Sequence, residues 1–292
     1  MSAATEAAAA AGERRRLRDD PRQAYWLHVP ASARHADAPL LVCVHGISRN
    51  AGAHLRAFAP WAQRHGCVLL APHFSRTRFP DYQRLGRPGH LGAGGRADRM
   101  LWRIVDEVRA GLGLAPRPVH LFGHSGGAQF VLRLALAQPQ QVAAYVASAA
   151  GAYVWPDAAR AFPAGCAPSP RFADLRPALA GFAALPGLVI VGERDQARTA
   201  ALRQGARVDA EQGRSRRERA ERFVAAVHAA APGARLGLQL LPRCGHGFSE
   251  MVAEGELPRR VAEFLYGAAP ALPAGAGRAP QGAPALDAHA GV

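Results

Sequence analysis

"LFGHSGGAQFVLRLAL", residues 121–136, decides how the rest of the chain is read. Its first residues form an apolar run ending in glycine, the mark of a buried strand, and its second half reads as a helix. Between the two stands one serine, Ser125, with Gly123 two residues before it and Gly126 and Gly127 directly after. G-x-S-x-G at a strand-to-helix turn is the pattern of a nucleophile elbow. Glycines on both sides let strand and helix approach without a Cβ clash, and the hydroxyl projects above the sheet edge. The helix N-terminus beside it adds backbone donors and a field that favours an anion.

Working outward, apolar strands and helical patterns alternate on both sides of this turn. "AYWLHV", "PLLVCVHG", "CVLLAPHF", "PVHLFG", "AAYVASAAG", "GLVIVG" and "RLGLQLL" read as strands. Helices are expected over residues 53–66, 96–113, about 215–231 and 257–267. In the second of these, Leu101, Ile104, Val105, Val108 and Leu112 share one face at 3.6-residue spacing. Strands this apolar, separated by helices, imply an α/β fold with a mostly parallel central sheet covered by helices on both faces. The 292 residues suit one large domain or two small ones. Residues 1–22 are expected to be a disordered lead-in, 23–266 the folded domain, and the Ala/Pro/Gly-rich 267–292 a disordered tail. Residues 153–186 are irregular and read as a small cap insertion.

Ligands in such sheets bind beyond the carboxyl ends of the strands. His45, Ser125, Asp195 and the loop after Leu241 all fall just after strand ends. A serine hydroxyl is a weak nucleophile and needs a base. His246, in "RCGHGFSE", follows the last strand between two glycines, whereas His228 lies in a helix, His120 in a strand and His124 at the elbow's variable position. The base in turn needs a carboxylate to hold its tautomer. Asp195, in "GERD", supplies it after a buried strand, with Glu193 as the alternative acid. A tetrahedral intermediate also needs donors: the Gly126 amide beside the nucleophile, and the Ile47 amide in "HGISRNAG". His45, Arg49, His124, Tyr153, Trp155 and Phe162 are candidates for a substrate pocket, with Arg49 either facing an acidic substrate group or simply solvated.

The HG loop, the GHSGG elbow, "GERD" and "CGHGF" together resemble the α/β-hydrolase superfamily, over nearly all of residues 24–266. The similarity runs toward bacterial serine hydrolases related to polyhydroxybutyrate depolymerases and dienelactone hydrolases. It departs from dienelactone hydrolase proper, which has a cysteine nucleophile. The resemblance implies Ser125, Asp195 and His246 as a triad, Ile47 and Gly126 as oxyanion donors, and cleavage of small-molecule or polymeric carboxylic esters. A peptidase, thioesterase or acyltransferase would use the same groups, and a non-catalytic binding module could share the fold.

The remaining composition excludes more than it suggests. The formal charge is +14, and all 36 cationic residues are arginine. Arginine, alanine, glycine and proline share GC-rich codons, so the bias does not argue for nucleic acid. The densest basic stretch, residues 214–222, reads as a solvated helix face with Arg214–Glu218 and Arg217–Glu221 pairs at i,i+4. No aromatics alternate with these arginines, as a single-strand binding platform would require. The four cysteines have no C-x-x-C spacing, and Cys43 and Cys67 lie in apolar runs, so they are expected in the core. No His/Cys ligand pattern predicts a metal, no phosphate loop predicts a nucleotide, and no cofactor is expected. Without a convincing signal segment or an apolar run of about 18 residues, a cytoplasmic protein without membrane contact is expected.

Overall fold

The computed structural model describes residues 12–86 and 95–267. Eight strands form one sheet: β1 (Glu13–Leu17), β2 (Asp20–His28), β3 (Leu40–Val44), β4 (Val68–Pro72), β5 (Val119–His124), β6 (Val142–Ser148), β7 (Gly187–Gly192) and β8 (Leu236–Leu241). Their spatial order is β1-β2-β4-β3-β5-β6-β7-β8. β1 and β2 run antiparallel to their neighbours, and every pairing from β4 to β8 is parallel. The helices are α1 (Ala51–His65), α2 (Ala97–Leu112), α3 (Gly126–Ala137), α4 (Leu179–Ala184), α5 (Ala206–Gln212), α6 (Arg216–Ala230), α7 (Phe248–Ala253) and α8 (Leu257–Tyr266). This is the α/β-hydrolase arrangement.

Strand periodicity divides the core into two layers. On β3, Val42 and Val44 point to one face while Leu41 and Cys43 point to the other. The first face is covered by α2, α3 and α6, which contribute Leu101, Ile104, Phe130, Leu134, Phe223 and Val227. The second is covered by α1, α7 and α8, through Leu55, Phe58, Met251 and Val261. Both sides of the inner parallel strands β3 to β7 are therefore largely buried, while the edge strand β8 is partly exposed, which is why the inner strands read as continuous apolar runs. Cys43 and Cys67 are buried free thiols. The chain leaves β3 toward β4 on one side, and β5 lies on the other. The crevice above this reversal is where open α/β sheets bind ligands, and the elbow opens into it.

Three expectations need correction. The lead-in is not wholly irregular: residues 13–17 form β1, and β2 begins at Asp20. The charged run "ERRRL" hides the strand because four of its five side chains are exposed, as suits an edge strand kept from pairing with other chains. Only Leu17 turns into the core, and the Arg18 N–H donates to Glu107 Oε2 at 2.7 Å. The short helices α5 and α7 fall in stretches read as loops. Within residues 153–186, Phe162, Phe172 and Leu175 are buried in the same core layer as α2 and α3. The segment packs down onto the body rather than offering Phe162 as a pocket wall. The tail from residue 268 lies outside the described residues.

If β1 is part of the cooperative fold, Leu17→Ala lowers the unfolding free energy by about 2–5 kcal/mol. Urea denaturation checks this, and a change below about 0.5 kcal/mol would mean that the segment does not contribute.

Candidate active site

The elbow is built by steric exclusion. Ser125 is held at φ 55° and ψ −111°, a backbone conformation in which a side chain is strained. Close packing leaves it no alternative. A Cβ at Gly123 would lie 2.3 Å from the Gly127 carbonyl oxygen, and one at Gly127 would lie 2.0 Å from that of Val44. The Ser125 N–H donates to the Ser148 carbonyl at 2.7 Å, tying the turn to β6. The hydroxyl thus stands at the N-terminus of α3, as its sequence pattern requires.

His246 meets it from the loop after β8. Its Nε2 lies 3.2 Å from Ser125 Oγ, and its Nδ1 lies 2.9 Å from Asp195 Oδ2. With Nδ1–H donating to the carboxylate, Nε2 is left to accept the serine proton. Asp195 stands on a turn closed by its own N–H to the Gly192 carbonyl at 3.0 Å. Glu193 points elsewhere and accepts from the Arg243 N–H at 3.3 Å. The acid that reaches the imidazole is therefore Asp195.

Asp195 is almost fully buried and has a second partner that the sequence reading missed. Arg216 Nη1 lies 3.4 Å from Asp195 Oδ1, and both side chains are only 2% exposed. A buried carboxylate needs compensating charge or hydrogen bonds. The start of α6 supplies the charge through Arg216 and is itself fixed in place: Ser215 caps the helix by accepting from the Glu218 N–H at 3.1 Å, and the Arg217 N–H donates to the Asp195 backbone carbonyl at 3.2 Å. The 214–222 stretch is thus not a uniformly solvated face. Arg216 and Arg219 are buried, while Arg217–Glu221 at 3.0 Å is the expected i,i+4 pair, partly exposed. Glu218 instead takes the Arg214 backbone N–H and pairs with Arg222. The signal was present in the helical spacing of Arg216, Arg219 and Phe223, which places two arginines on the core-facing stripe.

Two amides lie close to Ser125. Among the described residues, neither the Ile47 nor the Gly126 N–H has a hydrogen-bond partner. Ile47 Cγ2 lies 3.2 Å from where a Cβ on Gly126 would be, so the two segments are in close contact. His45 holds the Ile47 loop from behind. The Phe74 N–H donates to its Nε2 at 3.0 Å, so its Nδ1–H donates to the Gly46 carbonyl at 2.8 Å. The Tyr82 hydroxyl, buried against the elbow, donates to the His45 carbonyl at 2.7 Å. Burial pushes the His45 pKa down to about 3, so this neutral tautomer persists.

The proposed pocket residues divide. His45 is fully buried and supports a loop instead of lining a pocket. Arg49 is no free anion receptor: its guanidinium donates to the Phe74, Phe79 and Pro80 carbonyls and lies over the Tyr82 ring at 4.6 Å. His124 is buried, with Nδ1 3.2 Å from Ser148 Oγ and its ring 5.2 Å from that of His246. Phe162 packs edge-on against Phe172, and Trp155 is half-buried against the core. Tyr153 does line a cavity of about 440 Å³, together with Arg133 of α3. Among the described residues no group of three or more His, Cys, Asp or Glu side chains converges as metal ligands would, and no helix is long and apolar enough to cross a membrane.

Known structures share this framework. A poly(3-hydroxybutyrate) depolymerase from Bordetella parapertussis superposes with a TM-score of 0.68 at 26% identity, over 89% of this chain and 92% of its own. A poly(aspartic acid) hydrolase-1 from Sphingomonas sp. KT-1 gives 0.66 at 24% identity, over 79% and 90%. An S-formylglutathione hydrolase from Agrobacterium tumefaciens gives 0.54 at 16% identity, over 83% and 90%. No protein-family model matches the chain, and no curated protein matches it.

The buried histidines make stability depend on pH. Burial lowers His45 to about 3, His54 and His120 to about 4, and His124 well below its usual value. The unfolded chain protonates them near 6.5. Each therefore contributes stability that is fully present above about pH 6.5 and is lost as pH falls below it toward the lowered folded value. Urea melts at pH 7, 6 and 5 check this, and equal stability at all three would contradict it.

Proposed function

We propose that this chain, an α/β-hydrolase-fold protein resembling poly(3-hydroxybutyrate) depolymerase, is a serine hydrolase that cleaves carboxylic esters through an acyl-enzyme. The observation that carries the reading is the unbroken run of contacts from Ser125 Oγ to His246 to Asp195, at 3.2 and 2.9 Å, with the serine on a strained turn. As His246 Nε2 takes the hydroxyl proton, Ser125 Oγ bonds to the substrate carbonyl carbon. The carbonyl oxygen gains negative charge and accepts from the Ile47 and Gly126 amides. Asp195 keeps the imidazole oriented and stabilises the imidazolium. His246 then gives its proton to the leaving alkoxide, and the C–O bond breaks. Water repeats the sequence on the acyl-enzyme, with His246 as base, releasing the acid and restoring the serine.

Arg216 modifies the usual arrangement. It touches the carboxylate oxygen that does not meet His246, so the two partners of Asp195 are divided between its two oxygens. The carboxylate is thereby fixed in orientation by a partner on each oxygen.

A fluorophosphonate probe should label the wild-type chain covalently and leave folded Ser125→Ala unlabelled. On p-nitrophenyl esters, Ser125→Ala should lose on the order of 10⁶ in kcat. Asp195→Asn should lose roughly 10⁴, with Glu193→Gln close to wild type. A wild-type chain that neither reacts with the probe nor hydrolyses any ester would instead support a non-catalytic binding role.

A further inference from the structure

We propose that the cavity beside α3 is a subsite for a carboxylate at the far end of the substrate, which makes acid-terminated aliphatic esters the preferred substrate class. This rests on the hydrolase reading above. The central residue is Arg133, two turns along the helix that begins at Ser125. It is only 4% exposed. Its Nε donates to the Pro163 carbonyl at 2.9 Å, and its Nη1 donates to the Gln129 carbonyl at 2.9 Å and the Gln83 carbonyl at 3.4 Å. Among the described residues, Nη2 has no hydrogen-bond partner and no carboxylate pairs with the guanidinium. Three carbonyls thus lock the guanidinium plane and leave one NH₂ group unengaged.

A buried cation without a counter-anion is costly. The surrounding charge increases that cost. Burial pulls the Arg133 pKa down to about 9, and Arg84 and Arg203, which line the same cavity, add to that pull. Arg207 adds another cation, and Arg160 one that is paired with Glu211. Among the described residues Glu211 is the only acidic one in the lining, and Arg160 occupies both its oxygens at 2.5 and 2.7 Å. Among the described lining residues cations thus outnumber carboxylates, and the free Nη2 of a guanidinium locked in place can give a charge-assisted hydrogen bond to a carboxylate oxygen. Its other walls, Ala152, Tyr153, Ala164 and Val208, are carbon-rich. They match an aliphatic chain carrying the acid better than they match a small inorganic ion.

The cavity and Ser125 lie along the same helix. Eight residues of helix separate Ser125 from Arg133, about 12 Å along the axis. Gln129 lies between them, with its N–H on the Ser125 carbonyl at 3.2 Å. Tyr153 reaches the cavity from the loop after β6, the strand whose Ser148 carbonyl holds the elbow.

The test compares esters of six to ten carbons that end in a carboxylate with the same esters capped as methyl esters, the acid being placed on the acyl side in one series and the alcohol side in another. The wild-type chain should prefer the charged member at least tenfold in kcat/KM in one series. Arg133→Gln should bring that ratio toward one. Arg203→Gln, an exposed side chain with no hydrogen bond or ion pair among the described residues, should lower it without threatening the fold. Hydrolysis without preference in either series would overturn the subsite and leave the hydrolase reading intact. Calorimetry with octanedioate, which needs no turnover, separates the two ideas. Octanedioate binding that weakens at least fivefold in both variants supports the subsite even if no ester is cleaved. No binding, or phosphate binding more tightly than octanedioate, overturns it.

Discussion

The site depends first on the turn at Ser125. A non-glycine residue at φ 55° is stable only because its neighbours forbid other paths. β5 and α3 approach each other, and α3 approaches β3, so closely that side chains at Gly123 and Gly127 have no room. That contact brings the helix N-terminus, the Gly126 amide and the Ile47 loop to one point. The parallel sheet then supplies the rest. Because β3, β5, β7 and β8 point the same way, the residues after each of them gather at one edge.

Charge arranges the second layer. With no lysine in the chain, every buried cation is a guanidinium, whose several donors can be satisfied by carbonyls where no acid is at hand. Arg219 shows the principle, donating to the carbonyls of Gly213, Gly151 and Arg203 as well as to Asp209. Arg216 uses the same chemistry on Asp195, and Arg49 on the loop after β4. Arg133 differs because its donors are only partly engaged and its cavity remains strongly basic. The high formal charge is thus not only a surface property: part of it is built into the frame around the crevice.

Buried neutral groups complete that frame. His45, with one nitrogen accepting from Phe74 and the other donating to Gly46, fixes the loop bearing the Ile47 amide. The Tyr82 hydroxyl holds the same loop from beneath α3. Neither side chain is exposed to the crevice, yet both determine where a backbone donor stands.

The sequence by itself determined the alternation of apolar strands and helices, the elbow, and the three side chains Ser125, Asp195 and His246 that the fold brings into contact. These are legible because burial on both sheet faces and a tight strand-to-helix turn each leave a local pattern. Tertiary structure decided what local patterns cannot carry. β1 was hidden because an edge strand exposes most of its side chains and reads as a polar lead-in. His45 and Phe162 read as pocket residues until packing turned them inward. Arg216 read as part of a solvated helix face, and Arg133 carried no distinguishing pattern, because charge in a sequence has no depth. Only the approach of distant segments decides whether an arginine meets water, a carboxylate or an empty cavity.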